Sequence, residues 1–415
     1  TAHLTRRSVY CSKHAMGKYS ACDVFDDDSG NIIYDRIEHI WKDGKCVYCG
    51  ANQENYDRGD KLETHAYQFI HTKTPEDIFN MKFDVIIGNP PYQLEDGGAF
   101  ASASPIYHKF VQQAKKMNPR YLTMIIPSRW FAGGKGLDEF RGNMLEDDRM
   151  RELHDFPIGA DCFPGIRIAG GVCYFLWDRD NAGLCKVYTH QGNEIVSSME
   201  RPLLESDADT FIRHNGAITI FRKVVSHRES SFSEIVSSRK PYGLWSDFFN
   251  DPAKYGMPPV SEKELDNAIT IYGIVKYKTV KRYVPLDYPI SKGKESISKY
   301  KIFVSQVLDN GFDWRKERLK PFLGRPNEIC TETFLSVGCF DDEQTAQNVI
   351  SYINTKFFHL LMFLKKISHH VVAKVYQFVP MQDFSEPWTD EKLYKKYGLT
   401  QDEIAFIESM IREME

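Results

Sequence analysis

Four consecutive residues, Asn89-Pro90-Pro91-Tyr92, follow directly on the apolar run "FDVIIG" that ends at Gly88. Proline fixes its own φ and pushes the preceding residue out of the α region, so the pair makes a stiff, extended loop. The Pro90 carbonyl can enter no regular helix or ladder and stays free as an acceptor. Asn89 adds a side-chain carbonyl beside it, and Tyr92 adds a flat apolar face. Two fixed acceptors and a ring suit a planar amino group attached to a ring or an acyl carbon. Such a nitrogen is a poor nucleophile because its lone pair is delocalised. Hydrogen bonds from its N–H groups to Asn89 and Pro90 would hold it and draw it toward tetrahedral geometry. Attack on a methyl-sulfonium donor then rests on positioning and electrostatics, with no metal and no covalent nucleophile.

A second cluster lies near the start. "EHIWKDGKCVYCGA" places His39 ahead of Cys46-x-x-Cys49, and "VYCSKHAMGKYSAC" supplies Cys11, His14 and Cys22. Two close thiols followed by glycine make a zinc knuckle, which lets a polar segment fold without a core of its own. The expected ligands are Cys11, His39, Cys46 and Cys49, with His14 and Cys22 in reserve. A full four-ligand set leaves no open position, so the expected role of zinc is structural. The other five cysteines are scattered and read as core or neutral thiols.

A third feature is charge. Residues 271–320 hold twelve Lys and Arg against five acids, although the chain as a whole carries −4. Lys276, Lys278, Lys281, Arg282, Lys292 and Lys294 could track phosphates, with Tyr283 and Tyr288 available for stacking.

The elements that must position these groups alternate between strand and helix from about residue 61 to 180. "FDVIIG" suits a strand buried on both faces, and "YLTMIIPS" and "GGVCYFLWD" are further strands. "SPIYHKFVQQAKKM" spaces Ile106, Phe110 and Ala114 as a helix, and "GLDEFRGNMLED" is a second helix. The alternation predicts a doubly wound α/β sheet, in which ligands bind beyond the carboxyl ends of the strands, where Asn89 to Tyr92 would lie. Near residue 180 the alternation gives way to a hairpin or an exit from the sheet. Residues 186–415 form a mixed α+β region. There "DEQTAQNVISYINTKFFHLLMFLKK" predicts one long amphipathic helix with Val349, Ile353, Phe357 and Leu361 on its buried side. The expected divisions are a Cys-rich insert over 1–60, a catalytic core over 61–185 and a specificity region over 186–415.

With 415 residues, 42% of them apolar, the chain exceeds one ordinary core. Its longest apolar runs fall well short of the ~18 residues of a membrane span, and no signal-peptide pattern opens it. A cytoplasmic protein is expected. The chain opens on Thr1 rather than Met and is expected to begin inside a longer polypeptide.

Gly88-Asn89-Pro90-Pro91-Tyr92 after an apolar strand resembles the catalytic motif of S-adenosylmethionine-dependent amino methyltransferases. The order of segments is similar to the gamma group of N6-adenine DNA methyltransferases, and more narrowly to the fused type II restriction–modification branch. "SPIYHKFVQQAKKM", "YLTMIIPSRWFAGGKGLDEFR" and "FPGIRIAGGVCYFLWDR" resemble that branch's later motifs in order, and "TKFFHLLMFLKK" with "VYQFVPMQDF" resembles its ending. The resemblance implies a Rossmann-like methyltransferase sheet and S-adenosylmethionine as cofactor. It implies double-stranded DNA as substrate, with the adenine flipped out and held by Asn89, Pro90, Pro91 and Tyr92. It also implies a late aromatic that packs on the flipped base: Trp177, with Tyr174 or Phe175 as alternatives. A restriction endonuclease or helicase, as a subunit or a fused domain, is the implied companion.

The same tetrapeptide serves enzymes that methylate a glutamine amide or RNA guanine, and a non-catalytic DNA-binding remnant is a third possibility. The family's F-x-G-x-G cofactor loop and ribose-binding acid would precede residue 88, and neither is there. "FAGGKG", from Phe131 to Gly136, lies after the motif and reads as a mobile loop near the substrate. The cofactor loop is therefore expected upstream of Thr1.

Overall fold

The computed structural model describes residues 40–47, 53, 69–71, 75–78, 82–93, 104–131, 134, 136–166, 168, 170–308, 319–366 and 370–411. Cys11, His14, Cys22, His39 and Cys49 lie outside the described residues, as do Ala132, Gly133 and Lys135 of "FAGGKG". The chain divides into two units, Thr1–Asn215 and Gly216–Glu415.

In the first unit, β1 (Trp41–Lys42) and β2 (Lys45–Cys46) form a small hairpin. The main sheet has six strands: β3 (Val85–Gly88), β4 (Tyr121–Pro127), β5 (Met150–Phe156), β6 (Val172–Asp178), β7 (Cys185–Gln191) and β8 (Glu194–Arg201), in the order β3-β4-β6-β5-β7-β8. β3 runs parallel to β4, and β5 parallel to β7, while β6 lies antiparallel between β4 and β5. The sheet is thus mixed, and it runs on through the β7–β8 hairpin. The boundary expected at residue 185 falls inside it.

Helices α1 (Tyr107–Lys116) and α2 (Asp138–Leu145) cover one face. Tyr107, Phe110, Val111 and Ala114 repeat at i, i+3, i+4 and i+7, so α1 buries one stripe. Tyr107, Val111 and Ala114 meet Leu122, Met124 and Ile126 from β4, Leu153 from β5, Phe175 and Trp177 from β6, and Val187 from β7, while Phe110 packs near Phe69. Burial of each large apolar side chain contributes about 1.5–3 kcal/mol. The other face is different. Val85 and Ile87 are 48% and 71% exposed, so β3 is not buried on both sides. On this open face Tyr174, His154 and Tyr188 stand in register across β6, β5 and β7. Their rings stack at 4.3 and 4.2 Å, and His190 Nε2 lies 2.9 Å from His154 Nδ1.

The second unit carries two three-stranded sheets. One has the order β10-β9-β13, from β9 (Ala268–Val275), β10 (Lys278–Pro285) and β13 (Glu328–Cys330). The other has the order β12-β11-β14, from β11 (Tyr300–Ser305), β12 (Phe322–Gly324) and β14 (Phe334–Phe340). Tyr242, Phe248, Ile269, Ile271, Val284, Phe303 and Ile329 fill a shared core. Lys301 is buried at the start of β11 and donates to the carbonyls of Ser296, Ile297 and Glu328 at 2.7, 3.1 and 2.9 Å. Burial pushes its ammonium down to about 8. Its three donors tie the turn at 296–297 to β13.

Helix α3 spans Ile218–Ser226. The long helix expected over 342–366 is broken in two, α4 (Glu343–Ile353) and α5 (Lys356–Lys365). Thr355 caps α5 by accepting from the Phe358 amide, and the Asp390 carboxylate accepts from the Lys356 and Phe357 amides at 3.0 and 2.9 Å. A carboxylate from a later segment thus fixes a helix start that the four-residue spacing hid. Val349, Ile353, Phe357 and Leu361 are all buried nonetheless. Helices α6 (Asp390–Lys396) and α7 (Gln401–Met410) complete the unit. Among the described residues, no helix is long and apolar enough to cross a membrane.

Candidate active site

β3 ends in a close pairing. Gly88 sits opposite Met124, and a Cβ on it would lie 3.4 Å from that methionine's Cε. Beyond it Asn89 is exposed, Pro90 and Pro91 are buried, and Tyr92 is half-buried. The loop is held at its far end as well: the Tyr92 carbonyl accepts from the Ile106 amide at 3.1 Å, and Gln93 bridges to Pro105. Two buried prolines between two anchors leave the backbone little freedom. The Asn89 amide group stands at the carboxyl end of β3, on the solvent side, where an incoming ligand would be met.

Tyr92 is kept neutral. Burial raises its phenol well above the ordinary range, and Cys162 and Cys173 raise it further. Its buried hydroxyl has no hydrogen-bond partner among the described residues. Cys173 accepts from Trp130 Nε1 at 3.4 Å, and burial pushes its thiol up to about 12, so it is inert as a nucleophile.

The neighbouring strand ends are locked together. Asp155 is fully buried and takes a bidentate pair from Arg213, Nε to Oδ2 at 2.5 Å and Nη2 to Oδ1 at 2.6 Å. Ser128 Oγ donates to the same carboxylate at 3.1 Å. The Ser128 amide donates to the Gly171 carbonyl at 3.0 Å. Gly171 has φ +83°, and a Cβ there would lie 2.2 Å from the Phe156 carbonyl oxygen, so only glycine fits. The carboxyl ends of β4 and β5 and the start of β6 are thereby fixed beside the Asn89 loop. Nothing in the sequence pairs Asp155 with Arg213, which lies 58 residues on.

Trp177 does not belong to this site. Because β6 runs antiparallel to β4, Trp177 pairs with Leu122 and Met150, at the amino ends of β4 and β5. It is 1% exposed, and its Nε1 donates to Asp147 Oδ2 at 2.9 Å. Lys115 and Arg149 lie over its ring at 5.8 and 4.8 Å. Burial opposes ionisation of Asp147, but hydrogen bonds from Arg149, Lys115 and Trp177 overcome it and hold the carboxyl well below its usual range. Phe175 is equally buried in the core. Tyr174 pairs with Ile125 and His154, at the proper end and on the open face. Burial, then Glu152 and Cys162, raise its phenol.

In the second unit Lys276, Lys278, Lys281, Lys292 and Lys294 are exposed. Arg282 is committed elsewhere: it pairs with Glu262 at 2.6 Å and lies over Phe249. Tyr288 is buried with its hydroxyl on the Pro258 carbonyl, so it is not a stacking platform. Nor do the cations share one face. Lys278 falls on the side of Ile271 and Val284, whereas Lys281 falls on the other, over Tyr272 at 5.1 Å. Of the expected metal ligands only Cys46 is described. It is buried, with its Sγ 3.9 Å from His71 Nε2. No group of three or more metal-binding side chains occurs among the described residues.

Residues 1–163 match the family described as Eco57I restriction-modification methylase. A protein of Mycoplasma pneumoniae named as an uncharacterized adenine-specific methylase is 32% identical over 252 residues, 54% of this chain and 58% of that protein. The chain thus spans under two thirds of the length of that curated relative. The type IIL restriction-modification enzyme MmeI, solved in complex with DNA, aligns over 79% of this chain and 52% of its own at 11% identity and TM-score 0.41. A nuclease-deletion mutant of the type ISP restriction-modification enzyme LlaGI aligns over 77% and 37% at 8% identity and TM-score 0.37. The family likeness lies in the first 163 residues, the stretch that carries Asn89-Pro90-Pro91-Tyr92, and it is to the Eco57I restriction-modification methylases.

Proposed function

We propose that this chain acts in N6-methylation of adenine in double-stranded DNA, as the methylase of a restriction–modification system. The observation that carries the reading is the Asn89-to-Tyr92 loop: an exposed amide beside two buried prolines at the carboxyl end of a sheet strand. Asn89 Oδ1 and the Pro90 carbonyl would accept the two N–H bonds of the adenine amino group, and the Tyr92 ring would lie against the base. Adenine N6 is inside the duplex stack, so the base must first leave it. Tyr174 replaces Trp177 as the second ring that could face it. The exposed lysines of the second unit favour a nucleic acid over a protein glutamine.

S-adenosylmethionine supplies an electrophilic methyl group when bound. The described residues do not fit a holder for it: no glycine-rich loop follows a strand ahead of β3, where β1 and β2 make only a hairpin. No donor-side step is therefore assigned to them. A Rossmann-like doubly wound sheet, a structural zinc in residues 1–60, a cytoplasmic setting, and a restriction nuclease or helicase as companion complete the proposal. Mass spectrometry of DNA from cells expressing the protein tests it. N6-methyladenine above the level in cells carrying the empty vector is expected, and methyl label found only in RNA or protein would sink it.

The zinc proposal is independent. Cys46 is the one proposed ligand among the described residues, with its Sγ 3.9 Å from His71 Nε2, and Cys11, His39 and Cys49 complete the expected set. About one zinc per chain is expected by metal analysis, lost on Cys46→Ser. Protein purified without chelator that contains no zinc would remove this reading.

A further inference from the structure

The β9–β10 hairpin outruns its sheet. β13 pairs only with Thr270, Ile271 and Tyr272 of β9, and the outer edge of β10 bridges Ser261 at Tyr283. From Gly273 to Val280, among the described residues, the two strands pair only with each other. Three residues per strand at about 3.4 Å each carry this ribbon about 10 Å beyond the third strand.

Its base is rigid. A Cβ on Gly273 would lie 2.4 Å from the Phe249 ring, so the ring packs closely against the strand there, and Arg282 lies over the same ring while paired to Glu262. The tip is built differently. The two turn residues are Lys276 and Tyr277, at φ +48° and +65°. A two-residue turn of this hand normally uses Asn-Gly, because both positions need left-handed backbone. A lysine and a tyrosine there are strained, and the strain gains no packing: Tyr277 is fully exposed. Lys276 and Lys278, on either side of it, form no ion pair among the described residues. From Ala268 to Leu286 the hairpin has four cations and no acid.

We propose that the tip of this ribbon enters the major groove of duplex DNA, with Lys276 and Lys278 on phosphates or base edges and Tyr277 against the groove. The inference deepens the DNA reading above and rests on it. The major groove, about 12 Å wide, admits a two-stranded β-ribbon. A turn optimised for folding would have lost the Lys276 and Tyr277 side chains, whereas a strained one keeps them at the point that reaches furthest.

The strain makes the test decisive. The double variant K276N/Y277G installs the turn residues the geometry prefers. Its melting temperature is expected to equal or exceed that of the parent. Its affinity for fragments of bulk genomic DNA, measured by fluorescence anisotropy, is expected to fall about tenfold, with a salt dependence shallower by about one phosphate contact. Unchanged affinity with a parent that binds DNA would overturn the proposal and leave the DNA reading standing. A lowered melting temperature would also overturn it, because the tip would then be structural. A loss seen with single-stranded RNA but not with duplex DNA would do the same. A parent that binds no duplex DNA would sink the DNA reading, and this inference with it.

Discussion

Asn89→Ala is expected to reduce methyl transfer to adenine by about 10²–10³-fold or more, with DNA affinity and melting temperature unchanged. Asn89 is exposed, so its removal opens no cavity and orphans no buried group. What is lost is one of two acceptors fixed beside each other by Pro90 and Pro91. The remaining acceptor can bind the amino group but cannot set its orientation, and misplacement of a reacting nitrogen is penalised steeply. Tyr92→Phe is the matched control. Its hydroxyl is buried without a partner among the described residues, so deleting it should keep the ring, hold or raise stability, and leave transfer within a few-fold. Incorporation of labelled methyl into duplex DNA reads both variants. Full activity in Asn89→Ala would end the proposed role of the loop.

The largest expected effect on stability comes from Arg213→Ala, about 3–5 kcal/mol. Asp155 is fully buried, and Arg213 supplies both of its strong hydrogen bonds. Without the guanidinium only Ser128 Oγ remains to it among the described residues, and a buried carboxylate would be left uncompensated. For a unit of this size that corresponds to a fall of roughly 10 °C in melting temperature. Replacing both partners, as Asp155→Ala with Arg213→Ala, should be less damaging than Arg213→Ala alone, because no charge is then stranded. A single-variant loss below about 1 kcal/mol would show that water reaches Asp155 and that the pair holds little together.

Some of this was legible in the residues alone, for reasons that are local. The apolar run before Asn89, the two prolines after it and the spacing of Ile106, Phe110 and Ala114 each depend on neighbours in sequence. β4, β6, α1 and α2 follow from the same signals. What could not be read depends on distant partners or on direction. Alternation along "GGVCYFLWD" tells which side chains share a face, but not which way the strand runs. Once β6 proves antiparallel, Trp177 goes to the far end of the sheet. β5 carries no apolar signal because "MRELHDF" is polar: His154 and Glu152 belong to the open face, and Asp155 is neutralised by Arg213. In sequence Arg282 is indistinguishable from its lysine neighbours, and only the fold sets Glu262 against it. The break between α4 and α5 needed Asp390, and the exposure of Tyr277 needed the turn.

Val85 and Ile87 also govern how the protein behaves in a tube. They form an apolar stripe open to water on a strand whose neighbour on one side is β4. Sulfate and phosphate are excluded from protein surface and drive such patches together. Copies of the chain handled alone are therefore expected to precipitate at a lower sulfate concentration than an Ile87→Lys variant, as read by light scattering. A Lys at position 87 would act as the kind of charged gatekeeper that natural sheets place on exposed strands to stay soluble.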